Sequence, residues 1–332
     1  MDKAIRHLPA NFDQIGAKLA GIKVPNTKKI VSLFSGCGGM DLGFVGGFQY
    51  GGRTYDRLPF DIAWANDLSE AACKTYNHNL KHNIYCGDLW NQMGTLPKRA
   101  DIVIGGFPCQ DVSINGAMAA ENGERTTLYK AMQEVIKRTR PLVFIAENVK
   151  GIMMAHSRVL YEEMTAGFEA LGYDATAKIY LAADYGVPQM RERVLIIGTR
   201  KGMSKPFTHP APPFSKEKWI TSRQALSDLE SKEECDDTSH IWSRAKASPD
   251  QGRRRLTAEK PSTTIRAECH GNIQFHYKLD RRLSMREAAR LQSFPDNFEF
   301  CSGIRQTERQ IGNAVPPVLA WHVACAVQEY LG

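Results

Sequence analysis

The chain has 332 residues, 42% of them hydrophobic, and a formal net charge of +7, enough to bury a large core in one sizeable domain with a smaller companion. No sustained apolar run occurs near its start, so neither a secretory signal nor a membrane span is expected. The eight cysteines show no CxxC pair and no regular spacing, which argues against a disulfide scaffold and for reduced thiols in a cytoplasmic protein. The nearest approach to a metal cluster, Cys269, His270 and His276, lacks a fourth partner, so no metal site is expected.

Residues 1–28 read as an N-terminal extension with an amphipathic helix through Phe12, Ile15 and Leu19. Apolar runs at 29–34, 60–65, 101–104, 142–146 and 194–198 then alternate with helical patterns, including 68–80 and 127–140. That rhythm predicts an α/β fold, a parallel sheet with helices on both faces. After Arg200 the chain turns Pro-rich and polar, beginning with KPFTHPAPPF at 205–214, and reads as a crossing into a less regular module. A helical stretch at 286–292 and an apolar helix from Val318 to Leu331 close the pattern. The expected division is a catalytic and cofactor-binding domain over 29–200 and a recognition domain over 201–280. The remaining motifs, at 281–332, end by returning to the catalytic domain.

Charge is unevenly placed. Residues 244–290 hold 12 Lys and Arg against 5 Asp and Glu, an excess that suits a phosphate backbone as well as an ordinary solvated face.

Three strand ends carry chemistry. The first strand runs into FSGCGG, where glycines 36, 38 and 39 permit a tight turn and close approach of backbone to a ligand. Asn66-Asp67 ends the next strand and Asp88-Leu89 follows a third, positions where a carboxylate can take ribose hydroxyls. Together they describe a nucleoside pocket. The third apolar strand leads into GGFPCQ. Free cysteine is usually an inert packing residue, but Gly105, Gly106 and Pro108 turn this one out into a loop, where chemistry tends to sit.

The ordered series FSGCGG, GGFPCQ, AENVKG (146–151), QMRER (189–193), RRLSMREAARLQSFPDNF (281–298) and QIGNAVPP (310–317) resembles the cytosine-C5 DNA methyltransferase family from Ile30 onward. The resemblance implies a Rossmann-like, S-adenosyl-L-methionine-dependent methyltransferase acting on duplex DNA. Cys109 would be the nucleophile that adds to C6 of cytosine, and Glu147 the carboxyl that meets N3. Arg191 and Arg193 would lie near O2 and the backbone of a flipped nucleotide, and Asn148 would hold the loop bearing Cys109.

On the same resemblance, the methyl donor would be held by Phe34, Gly36, Cys37, Gly38, Gly39, Asp67, Leu68, Asp88, Leu89, Pro108, Leu128, Asn313 and Ala314, with Cys37 as a packing residue. DNA would meet Gln110, Ser113 and Arg125 on a closing loop, and Thr264 and Arg266 in the recognition region. A base in duplex DNA hides its C6 in the stack and must be swung out to react. The resemblance also raises a cognate restriction endonuclease as a companion in the same system, and a monomer is expected. An RNA cytosine-5 methyltransferase is the alternative of the same chemistry.

Overall fold

The computed structural model describes residues 27–107, 128–203, 205–244, 254–267 and 274–332. Strand β1 (Lys28–Leu33) buries its last four residues and runs through the glycine turn into helix α1 (Gly39–Val45). A small antiparallel hairpin, β2 (Phe48–Tyr50) with β3 (Arg53–Tyr55), returns the chain to β4 (Phe60–Asp67). Helix α2 (Glu70–Leu80) starts at Ser69, whose hydroxyl accepts from the Ala72 amide, a normal N-cap. Then come β5 (Tyr85–Cys86), the single turn α3 (Leu89–Gln92) and β6 (Ile102–Gly106).

Helix α4 (Leu128–Thr139) buries Ala131, Met132, Val135, Ile136 and Thr139, a helical spacing that lays one stripe on the sheet. Each large apolar side chain in that stripe contributes about 1.5–3 kcal/mol by burial. Next are β7 (Val143–Val149), α5 (Arg158–Ala170), β8 (Tyr173–Leu181), β9 (Gln189–Met190) and β10 (Glu192–Arg200).

Among the described residues from 201 to 284 regular structure is sparse. It comprises α6 (Ser222–Leu226) and β11 (Ser262–Thr263) before α7 (Met285–Leu291), α8 (Ile304–Asn313) and α9 (Pro317–Leu331). Helix α7 opens with a capping box between Ser284 and Glu287, which satisfies two otherwise orphaned amides.

The main sheet has the order β5-β4-β1-β6-β7-β10-β8. All five strands expected from the sequence are present, but the sheet is mixed rather than parallel, because β10 runs antiparallel to both β7 and β8. The ten residues between β8 and β10 are too few for the helical crossover a parallel pairing needs.

Strand β1 lies between β4 and β6, paired in parallel with each, so the chain winds outward in both directions from it. Such a switch point opens a crevice beyond the carboxyl ends of the strands. Both faces of the sheet carry a buried apolar layer. Helix α9 belongs to one of them: Val318, Leu319, Val323 and Val327 share a core with Ile30, Phe44, Ile102 and Ile145. The end of the described chain thus returns to the sheet. A third cluster packs Cys37 of the glycine turn with Ile265, Leu283, Leu291, Phe294 and Ile311.

Candidate active site

The ends of β1, β4, β5, β6 and β7 and the start of the reversed β10 share one rim of the sheet. On it stand Phe34–Gly39, Asp67, Gly87-Asp88, Phe107, Glu147 and Arg193. Phe34 has φ 53 and Gly36 φ 56. A left-handed aromatic residue is a strained conformation costing about 1–3 kcal/mol, and such outliers gather at functional sites. Among the described residues the space beside Gly36 is open, with nothing within 4 Å of an added Cβ. The Gly39 position is filled: a Cβ there would come 2.6 Å from the Val315 carbonyl and 3.1 Å from the Ala314 Cβ. The IGNAVPP strap therefore lies directly on the glycine turn.

Asp67 braces this turn. One carboxylate oxygen accepts from the Gly36 amide at 2.8 Å and the other from the Ser69 amide at 2.8 Å. Burial pushes its pKa up against those two hydrogen bonds, while each oxygen keeps a lone pair for a further donor. Leu68 beside it is 73% exposed, an apolar side chain offered to solvent at the rim. A carboxylate and an apolar surface side by side above an open glycine turn fit the hydroxyls and the base of a nucleoside.

The structure redistributes some expected roles. Leu89 is buried in the core, leaving only its backbone at the rim, while the Asp88 carboxylate accepts from the Trp90 amide at 2.8 Å. Cys37 is buried, its thiol contacting the Gln310 carbonyl, and burial pushes its pKa up to about 12. It is a packing residue. Leu128 packs partly buried on the sheet at the start of α4, Asn313 is exposed, and Ala314 is partly covered. Pro108, Cys109, Gln110, Ser113 and Arg125 lie outside the described residues.

The reacting side of the rim is built on register. Gly106 pairs with Glu147 across β6 and β7, and a Cβ at 106 would fall 2.6 Å from Glu147 Oε2. Cys109 follows three residues later in the chain. The buried Asn148 amide donates to the Phe107 carbonyl at 3.2 Å, tying down the residue that leads into Pro108-Cys109. Arg193 Nε stands 2.8 Å from Glu147 Oε1. Both side chains are largely buried, yet Oε1 receives no aligned hydrogen bond from the described residues. An ion pair with an unsatisfied carboxylate oxygen leaves a position for an incoming donor.

Arg191 lies deeper than Arg193. Its guanidinium is fully buried and donates to the carbonyls of Ile265, at 3.1 Å, and Gly312, at 2.9 Å. Burial, with the neighbouring Arg193 charge, drives its pKa well down. The expected arginine pair thus divides: Arg193 meets Glu147, and Arg191 clamps the backbone behind it. Thr264 is likewise committed, its hydroxyl donating to the Met190 carbonyl at 2.8 Å, so its proton is not free for a phosphate. Arg266 is exposed.

Gln189, Gln292 and Gly312 were not singled out from sequence, although each lies inside one of the six motifs. For Gln189, a polar amide between Pro188 and Met190 was the available signal.

Comparison with known proteins places the chain in a family. A family model described as C-5 cytosine-specific DNA methylase matches residues 28–255 and 238–329. The chain is 37% identical over 327 residues to the Type II methyltransferase M.NgoFVII of Neisseria gonorrhoeae, covering 88% of this chain and 84% of that protein. It is 33% identical to M.BbvI of Brevibacillus brevis, with 86% of each covered. Among solved structures, a prophage-encoded candidate DNA modification methyltransferase of E. coli superposes with a TM-score of 0.68 at 22% identity, covering 92% of this chain and 99% of that one. The S. pombe Dnmt2 methyltransferase gives a TM-score of 0.63 at 16% identity over 92% and 99%; these two likenesses speak to the fold.

Proposed function

The chain belongs to the C-5 cytosine-specific DNA methylase family and is a DNA cytosine-5 methyltransferase, and from that premise we propose how its residues divide the work. The donor is S-adenosyl-L-methionine, and the acceptor is C5 of a cytosine swung out of duplex DNA. The connecting step is a covalent bond from Cys109 to C6. The observation that carries this reading is the Glu147–Arg193 pair beside Gly106, at the strand end from which the chain leads to Cys109.

C5 of cytosine is a weak nucleophile. When the Cys109 thiolate adds to C6, the S–C6 bond forms and the C5–C6 π pair becomes available at C5, with charge spreading toward N3 and O2. Glu147 supports this by meeting N3, and the Arg193 guanidinium by facing the developing charge at O2 in a site that excludes water. Arg191 and Asn148 position these groups rather than touch the base. The glycine turn would hold the sulfonium donor, with Asp67 at the ribose and Leu68 and Asp88 toward the adenine; it would supply an electrophilic methyl group, whose bond to sulfur breaks as its bond to C5 forms, leaving S-adenosylhomocysteine. After transfer a base at the site takes the C5 proton. The electron pair of that C–H bond restores the ring double bond and expels the Cys109 thiolate.

The segment 201–280, between QMRER and RRLSMRE, is the module we assign to target recognition. Arg266 and its basic neighbours are suited to phosphate or guanine edges. The test is methyl transfer from labelled S-adenosylmethionine to duplex DNA and to tRNA, by the native protein and by Cys109→Ser. DNA labelling that the Ser variant abolishes is expected. Equal labelling by both proteins overturns the covalent step, and label confined to tRNA overturns the substrate.

A further inference from the structure

Behind the Glu147–Arg193 pair, four stretches of chain, at 189–191, 262–265, 291–292 and 312–315, meet in a buried polar knot. Strand β9 pairs in parallel with β11, Gln189 opposite Ser262, and the next residues continue the junction through side chains. The Ile265 amide donates to Gln189 Oε1 at 3.0 Å, while the Ile265 carbonyl accepts from Arg191 at 3.1 Å. Both backbone groups of one recognition-region residue are therefore held by side chains of the catalytic strand segment.

The amide of Gln189 continues inward. Its Nε2 donates to the Leu291 carbonyl at 3.0 Å and to Gln292 Oε1 at 2.5 Å, and Gln292 Nε2 donates to the Ala314 carbonyl at 2.6 Å. Gln189 and Gln292 are both fully buried. Orientation is forced from the two ends, because a backbone N–H can only donate and a carbonyl can only accept. With Ile265 N–H at one end and Ala314 C=O at the other, each glutamine has one allowed polarity, and neither can flip without leaving buried groups unpaired.

The far end of this relay is the strap that covers the glycine turn. Ala314 and Val315 lie against Gly39, and Gly312 of the same strap, besides accepting from Arg191, packs against the backbone of Arg266 and Ala267. Both holds on Ile265 thus lead to one strap: through Gln189 and Gln292 to Ala314, and through Arg191 to Gly312.

We propose that Gln189 and Gln292 are positioning residues that couple cofactor occupancy to the order of the recognition segment 261–267. A ligand that fills the glycine turn steadies the strap, and the amide relay passes that restraint to Ile265. The recognition segment is then set for DNA before DNA arrives. The inference rests on the S-adenosylmethionine site assigned above and adds a consequence at a distance from it. By linkage, DNA held on this segment tightens the cofactor by the same factor.

Hydrogen exchange of the full chain, read by mass spectrometry with and without saturating S-adenosylhomocysteine and without DNA, tests the coupling. Peptides spanning 36–43 report occupancy of the turn, and peptides spanning 261–267 report the relay. In the native protein both sets slow, the second by at least about threefold. In Gln292→Met the first set still slows and the second loses most of its protection. Protection at 36–43 with none at 261–267, or undiminished protection at 261–267 in Gln292→Met, overturns the coupling. Absence of any protection at 36–43 overturns the cofactor assignment itself, and the relay with it. Should Gln292→Met fail to fold by circular dichroism, Gln189→Met removes the Ile265 acceptor directly and is read in the same way, with the same outcome required.

Discussion

Gly106 and Glu147 face one another across adjacent strands with no room for a methyl group between them: a Cβ at 106 would sit 2.6 Å from the Glu147 carboxylate. The absence of a side chain at 106 is what lets that carboxylate stand beside Arg193. Gly106→Ala is expected to displace Glu147 and lower the single-turnover methylation rate by on the order of 100-fold. The melting temperature should fall by only a few degrees. A full rate in the Ala variant would show that the carboxylate position is not critical.

Arg193 and Glu147 form one largely buried ion pair, so they should behave as a unit. Arg193→Met and Glu147→Gln are each expected to slow single-turnover transfer by about 100-fold or more. The double variant should be little slower than either single one, because effects within a unit do not multiply. Multiplying losses would mean that the two act independently.

Asp41 is buried on α1, accepting from the Tyr76 hydroxyl at 2.9 Å. Burial raises its pKa from 3.8 to about 6. The folded protein thus binds this proton more tightly than the unfolded chain does. Its contribution to stability is full below about pH 4 and is lost as the pH climbs through about 6, up to about 3 kcal/mol. Asp41→Asn carries no such titration, so its stability relative to the native protein should rise across that window. Urea denaturation at pH 4, 5, 6 and 7 measures this. Parallel curves for the two proteins would contradict it.

Two glycines should respond oppositely to alanine. A Cβ at Gly312 would fall 2.5 Å from backbone atoms of Arg266 and Ala267, which cannot swing aside, so Gly312→Ala should cost about 2 kcal/mol or more. Gly94 has nothing within 4 Å and an ordinary backbone conformation. Gly94→Ala should be neutral or stabilise by about 0.4–1 kcal/mol through the unfolded state. Denaturant midpoints of the two variants decide the point.

The strands that position the site were legible because buried strands of a sheet covered on both faces are continuous apolar runs, as in Ile102–Ile104 and Val143–Ala146. Strand β8 was not, since YDATAKIYL mixes charged and threonine residues with apolar ones and lies at the sheet edge. The reversal of β10 was hidden for a different reason: a strand's composition carries no direction. At the site, Glu147 and Arg193 could be named from motif order, and the structure brings them together. The retreat of Arg191 into carbonyls depends on Ile265 and Gly312, which are 74 and 121 residues away and leave no local trace. Thr264 and Leu89 likewise show their commitments only once the fold brings their partners together.

Gly39 is covered by a strap at 312–315, and α9 lies against α1 so tightly that a Cβ at Gly43 would collide with Ala320 and the Pro317 carbonyl. During translation the sheet strands leave the ribosome long before these covering residues do. A polypeptide that ends before residue 312 therefore leaves the glycine turn and the face of α1 around Gly43 unroofed.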